Sequence, residues 1–487
     1  RCIMKTVLGS LLVGLVGASP VALAADKPNV LLIISDDLRD TVGCYGKPAV
    51  KTPNLDRLAA RGVRFDRAYV QYPVCNPSRA SFMTGMRCEQ TGVVDNTAMF
   101  RTHLPDVITM PQLLRRHGWH AASYGKIYHV GEAAGEVRAG WMDEGKSWDE
   151  ARMFQPTPAG RRGEVRNLTG GALTWCAVGA MEGTDDDQPD GQTALHAIRA
   201  IEQQTAAGAP WFVGAGFHRP HDPFLVPKKY YDLYPPGALT LYRDPADITA
   251  VPPLSMPGGA FKTAFDAFTD EDRLDFLRAY CAGVSFMDAQ VGRLLDALDR
   301  LKLWDRTVVI FAGDNGYHHN ERGWWNKNTL FERSCRVPLI IAAPGAQAGT
   351  VSRGLAELVD LYPTIADFCG LDAPHAFAGR SLRPLLENPA GPGKPAAYTL
   401  VTRGRNAYGQ TVRTERWRFT RWSDGNAELY DENGDPEETS NLAEAPAHAA
   451  TVRDLQKLLD AIGPFRRPEA AENGSGAPRS EKKRAPR

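Results

Sequence analysis

Excess charge of either sign is missing from this sequence: 57 Lys and Arg face 57 Asp and Glu in 487 residues. Without a net field the chain has no general pull toward nucleic acid, so any anion it recognises must meet cations placed locally. Long apolar runs are scarce too. Outside the N-terminus no segment is long and apolar enough to cross a bilayer, which excludes a membrane span in the mature chain. Internal repeats are absent, which excludes a solenoid. A domain of this size needs no disulfide scaffold, and the Cys left once Cys2 and Cys75 are set aside allow many pairings, so none is assigned.

What is there is a globular composition, 43% hydrophobic and 23% charged, enough to bury a large core. Near the N-terminus Lys5 precedes an apolar run from Val7 to Val16, and Ala22-Leu23-Ala24 offers small residues to a signal peptidase. Residues 1–25 are therefore expected to be an export signal starting at Met4, with Arg1-Cys2-Ile3 given no structural role. The mature chain is expected to be periplasmic or secreted.

Residues 30–35 form an apolar run ending in Asp36-Asp37, the pattern of a buried parallel strand. Thr52-Pro53 reads as a helix start. Helices are expected at 107–117, 193–204 and 359–368, and a long one after the capping signal of Thr269 to Asp272. Further strands are expected at 121–124, 211–215, 308–312 and 337–342. This alternation predicts an α/β fold with a large, mostly parallel sheet covered by helices, over residues 26–390. Short, turn-separated strands at 398–402, 410–413, 417–421 and 428–430 predict a smaller antiparallel subdomain over 391–465, closed by a helix at 447–462. Residues 466–487 are rich in Pro, Gly, Lys and Arg and read as a disordered tail. The Gly-rich stretch 131–190 reads as a long insertion near the site.

Two acidic pairs stand out. Asp36-Asp37 and Asp314-Asn315 each follow an apolar strand, where open α/β sheets place ligands. Three carboxylates and an amide make an all-oxygen site for Ca²⁺, or Mg²⁺. Either pair alone would more often cap a helix or form a turn. Cys75-Asn76-Pro77-Ser78-Arg79 is sharper, because Pro77 favours a helix beginning at Cys75. That places Cys75 at a helix N-terminus receptive to anions, with Arg79 one turn on.

Cys75, Pro77, Ser78 and Arg79, closed by Thr84-Gly85, resemble the signature of the type I sulfatases of the alkaline phosphatase superfamily. The likeness runs over about residues 28–442 and is greatest to the iduronate-2-sulfatase-like branch. It implies an alkaline-phosphatase-like sandwich and an aldehyde, formylglycine, made from Cys75 by a maturation enzyme. Gly125-Lys126 with His129 resembles a second family motif, so Lys126 is expected to bind a sulfate oxygen and His129 to hold or deprotonate the nucleophile. Gly216 to Phe224 resembles a third, with His218 matching the histidine at the substrate ester and His221 more often structural. Lys327 matches the lysine that binds sulfate and assists the leaving group.

The resemblance further implies that Asp36, Asp37, Asp314 and Asn315, with position 75, hold the cation. The hydrated aldehyde attacks sulfur, and its second hydroxyl expels the sulfate. The expected partner is a sulfated carbohydrate, such as a 2-O-sulfated uronate unit. His319, Asn320 and Arg322 depart from the family pattern, which leaves Arg322 either a second anion contact or a surface residue. The alternatives are a phosphate or phosphonate monoester hydrolase of the same superfamily and a silent binder of sulfated glycans.

Overall fold

The computed structural model describes residues 27–129 and 140–467. The expected export segment, nearly all of the expected tail and the first part of the 131–190 stretch lie outside the described residues. Strands β1 (Asn29–Asp36), β2 (Val63–Tyr69), β3 (His120–Gly125) and β4 (Glu150–Arg152) come first. They are followed by β5 (Gly163–Asn167), β6 (Ala177–Met181), β7 (Trp211–Pro220) and β8 (Phe224–Pro227). Next come β9 (Thr307–Gly313), β10 (Arg336–Ala342), β11 (Thr350–Ser352) and β12 (Ala356–Glu357).

The main sheet has the order β11-β2-β10-β9-β1-β7-β3-β4, with β12 also beside β2. It is an α/β sheet, parallel throughout except where β10 runs against β2 and β9. Every residue of β1 is buried, and the strand's period of two divides them between two cores. Leu31 and Ile33 point to one face, and Val30, Leu32 and Ile34 to the other. The first face is covered by the helices Pro189–Ala206 and Asp270–Leu301, and the second by Cys75–Thr84, Met110–Arg116 and Leu361–Phe368. Each aliphatic side chain so enclosed contributes about 1.5–3 kcal/mol.

Some local readings shift. The helix expected at 107–117 starts at Met110, because Thr109 accepts a hydrogen bond from the Gln112 N–H and caps it. Thr52 precedes the helix Pro53–Arg61 but turns its hydroxyl to the Gly43 N–H, 2.7 Å away. Strand β2 has no counterpart in the sequence reading, since Arg64, Asp66 and Arg67 interrupt its apolar pattern. The stretch 140–190 is largely ordered: β4 extends the main sheet, and β5 and β6 join β8 in a three-stranded sheet.

Thr269 caps the helix Asp270–Leu301 as expected, with Asp272 closing the box. Thr269→Ala is predicted to cost about 1 kcal/mol, read as a lower melting midpoint with unchanged activity.

Beyond residue 390, β13 (Ala397–Arg403), β14 (Ala407–Arg413), β15 (Trp417–Trp422) and β16 (Ala427–Asp431) form a separate antiparallel sheet in sequential order. The helix Ala449–Ile462 packs Leu455 and Leu459 against its Val412, Phe419 and Leu429. Buried Arg418 joins this sheet to the larger unit through Glu332, and it also pairs at 2.7 Å with Glu438 of its own subdomain, which accepts from the Glu332 N–H. Among the described residues no helix is long and apolar enough to cross a membrane, and all the cysteines there are free.

Candidate active site

Strands β1 and β9 lie side by side and in parallel, with Ser35 opposite Gly313. The ends of the two strands therefore emerge together, with Asp36-Asp37 closing one and Asp314-Asn315 following the other. The turns interlock. The Asp314 N–H donates to the Ser35 carbonyl at 3.1 Å, and the Asp37 N–H donates to Asp314 Oδ1 at 2.9 Å. Asn315 Nδ2 donates to Asp37 Oδ1 at 2.8 Å. All four side chains are buried.

Cys75 is the first residue of its helix. Its Sγ lies 3.1 Å from Asp36 Oδ1 and 3.0 Å from Lys327 Nζ. Arg79, fully buried one turn on, donates from Nε to Asp314 Oδ2 at 2.8 Å and reaches Asp36 at 3.4 Å. It also donates to the Ile127 carbonyl at 3.0 Å and to the Lys126 carbonyl, tying the Cys75 helix to the segment after β3. Lys126 pairs with Asp36, and Lys327 with Asp37. The sequence-predicted residues Asp36, Asp37, Cys75, Arg79, Lys126, Asp314, Asn315 and Lys327 thus share one buried cluster.

The electrostatics follow from burial and from these pairs. Burial alone would raise the Asp36 carboxyl, but Lys126, His221, Arg79 and Lys327 hold it well below the usual carboxylate range. Burial raises Asp314, with Asp36 and Asp37 adding to the effect and Arg79 opposing it. Burial would lower Lys327, yet Asp37 keeps it charged. Burial, helped by Lys126, lowers His129 to about 2, and the two nitrogens of its ring are buried without hydrogen-bond partners. The His129 ring is therefore held neutral, with a lone pair open to accept a hydrogen bond.

The histidines of the 216–224 segment divide differently from the sequence reading. His221, read there as more often structural, has its ring in the cluster: one atom each of Asp36, Asp37, Cys75 and His221 lie within 4.8 Å of one another. His221 Nε2 is 3.6 Å from Asp37 Oδ2. Its Nδ1 is 2.6 Å from the Asp222 carbonyl, which can only accept, so Nδ1 carries a hydrogen and Nε2 is the nitrogen that faces the cluster. His218 is half-buried, and burial together with Lys126 lowers it well below its ordinary value. The two flanking prolines, Pro220 and Pro223, were the signal in the sequence that His221 sits in a tight, shaped turn.

A hard divalent cation fits this donor set. Asp37 Oδ2 and Asn315 Oδ1 are buried oxygens without hydrogen-bond partners, and the remaining donors are carboxylates, the ligands such cations prefer. The altered 319–322 segment is committed to structure. Arg322 donates to the carbonyls of Thr249 (3.1 Å) and Glu438 (2.5 Å), and Asn320 donates to that of Tyr242 (2.7 Å). His319 stacks edge-on against Tyr280.

A family model described as sulfatase matches residues 28–371. The chain belongs to the sulfatase family. It is a sulfuric ester hydrolase of the alkaline phosphatase superfamily, and a second model, N-sulphoglucosamine sulphohydrolase C-terminal, matches residues 320–463. Iduronate 2-sulfatase of Homo sapiens is 31% identical over 85% of this sulfatase and 88% of its own length. Choline-sulfatase of Rhizobium meliloti is 31% identical over 89% and 86%. A phosphonate monoester hydrolase from Silicibacter pomeroyi shares the fold, with a TM-score of 0.73 at 23% identity over 91% of this chain and 96% of that one.

Proposed function

We propose that the chain hydrolyses a sulfate ester of a sugar, through an aldehyde made from Cys75 by a formylglycine-generating maturation enzyme. One observation carries the reading. Position 75 opens a helix, in contact with Asp36 and Lys327, beside buried oxygens of Asp37 and Asn315 that lack partners. A Ca²⁺ ion, or Mg²⁺, held by Asp36, Asp37, Asp314 and Asn315 would supply charge to acidify an oxygen on position 75 and to polarise the sulfate.

The chain's own residues account for the rest. Lys126, Lys327 and Arg79 neutralise the sulfuryl oxygens in a water-poor site, where fixed charges act strongly. His129 takes a proton from the oxygen at position 75. An imidazole of the 218–221 turn protonates the departing alcohol, and the contact of His221 with the cluster favours that ring over His218. The 31% identity to a relative named iduronate 2-sulfatase supports a 2-O-sulfated uronate or a related glycosaminoglycan-like unit as substrate. The site of action would be the periplasm or the cell exterior.

Sulfate release from a panel of sulfated sugars, set against a phosphonate monoester, tests the reading. Faster turnover of the phosphonate would replace it with the alternative of the same superfamily. His221→Ala is predicted to slow alkyl and sugar sulfates about 10²-fold more than an activated aryl sulfate, because only a poor leaving group needs the proton. His218→Ala is the comparison. A larger selective loss there would return the role to His218.

A further inference from the structure

The turn that carries both histidines is held from below by a residue the mechanism does not use. Asp190 is the second residue of the helix Pro189–Ala206 and is 1% exposed. Both of its oxygens are spent on the backbone of β7: Oδ1 accepts from the His218 N–H at 2.8 Å and Oδ2 from the Arg219 N–H at 2.9 Å. Ser35 at the end of β1 donates to the Arg219 carbonyl at 2.8 Å, gripping the same residue from the other side.

Past this grip the chain folds back on itself. The His221 N–H donates to the His218 carbonyl, and Arg219 Nη1 donates to the His221 carbonyl, each at 2.8 Å. These contacts set where the His221 ring stands, 3.6 Å from Asp37. A carboxylate bridging two consecutive amides fixes both the position and the twist of that backbone, which a single acceptor would not. The start of a helix also favours negative charge at Asp190.

We propose that Asp190 is a positioning residue that aims the leaving-group imidazole of the 218–221 turn at the ester oxygen. The inference rests on the assignment of a proton donor to that turn. Asp190→Asn keeps one acceptor but sets an NH₂ donor against a backbone N–H, so the turn should shift without loss of the fold. The expected result is a drop of about 10²-fold in kcat for a sugar sulfate, the cost of roughly ångström misplacement. KM should stay nearly unchanged, and the rate on an activated aryl sulfate should change little.

The effect should vanish when Asp190→Asn is placed in the His221→Ala, His218→Ala double background, since Asp190 acts only through those rings. Exchange of the His218 and Arg219 amide hydrogens, followed by mass spectrometry, should accelerate. Equal losses on both substrate classes, an undiminished loss in the histidine-free background, or wild-type rates would each overturn the proposal. Should Asp190→Ala fail to fold, Asp190→Asn still carries the test. If the histidine variants show no leaving-group dependence while Asp190→Asn loses activity only in chains that keep both histidines, the acid role fails and Asp190 still positions the turn.

Discussion

Cys75→Ser is expected to lower kcat by about 10⁴-fold or more while leaving the melting midpoint where it was. The hydroxyl is close to the thiol in size and can keep the contacts to Asp36 and Lys327 that now lie at 3.1 and 3.0 Å. The helix start and the charge pairs around it therefore survive. What is lost is the second oxygen that a hydrated aldehyde would provide. A serine can accept the sulfuryl group once but has no neighbouring hydroxyl on the same carbon to expel it, so the enzyme should stall as a covalent sulfate ester. Intact mass after incubation with substrate would show that adduct at position 75. Purified wild-type protein, co-produced with the maturation enzyme, should show the mass of an aldehyde in place of the thiol. Repeated turnover by Cys75→Ser at near wild-type rate would refute the proposal.

The legibility of this protein in its sequence follows burial on both faces. A strand such as β1 has no solvent side, so its apolar run is continuous and its end is marked by the first charge, Asp36. β9 declares itself in the same way before Asp314, and their adjacency puts both acidic pairs at one place. β2 stayed hidden because half of its residues reach solvent or pair with charges, leaving no run and no clean alternation. The antiparallel course of β10 was equally unreadable, since direction depends on how the chain returns and not on the strand's composition. The place of His221 was hard to read for a related reason. Its sequence neighbours are polar and turn-forming, and only the folding back of the turn onto Ser35 and Asp190 brings the ring to Asp37. Arg322 stayed open between an anion contact and a surface residue because nothing local shows the carbonyls of Thr249 and Glu438 that occupy it.

Removing the divalent cation is expected to cost about 10³-fold or more in kcat, and Asp37→Ala should reproduce the loss without rescue by added Ca²⁺. The argument is one of charge. Asp36, Asp37 and Asp314 bring three negative charges to a buried space, and Lys126, Lys327 and Arg79 bring three positive ones. The side chains thus balance by themselves and offer no surplus to an incoming anion. A dication raises the site to a net charge of plus two, which matches one sulfate monoester and one ionised oxygen at position 75. Chelation should therefore weaken substrate binding and slow chemistry together, raising KM as it lowers kcat. Asp37→Ala goes further, because it leaves Lys327 and Asn315 facing a gap where both had found Oδ1. Unpairing a buried charge in this way costs about 3–5 kcal/mol, so a lower melting midpoint should accompany the lost activity. Titration calorimetry with Ca²⁺ separates the two effects: the chelated wild type should bind the ion stoichiometrically and recover, whereas Asp37→Ala should do neither. Full activity in the continued presence of chelator, with no heat of Ca²⁺ binding, would rule out a metal-dependent mechanism.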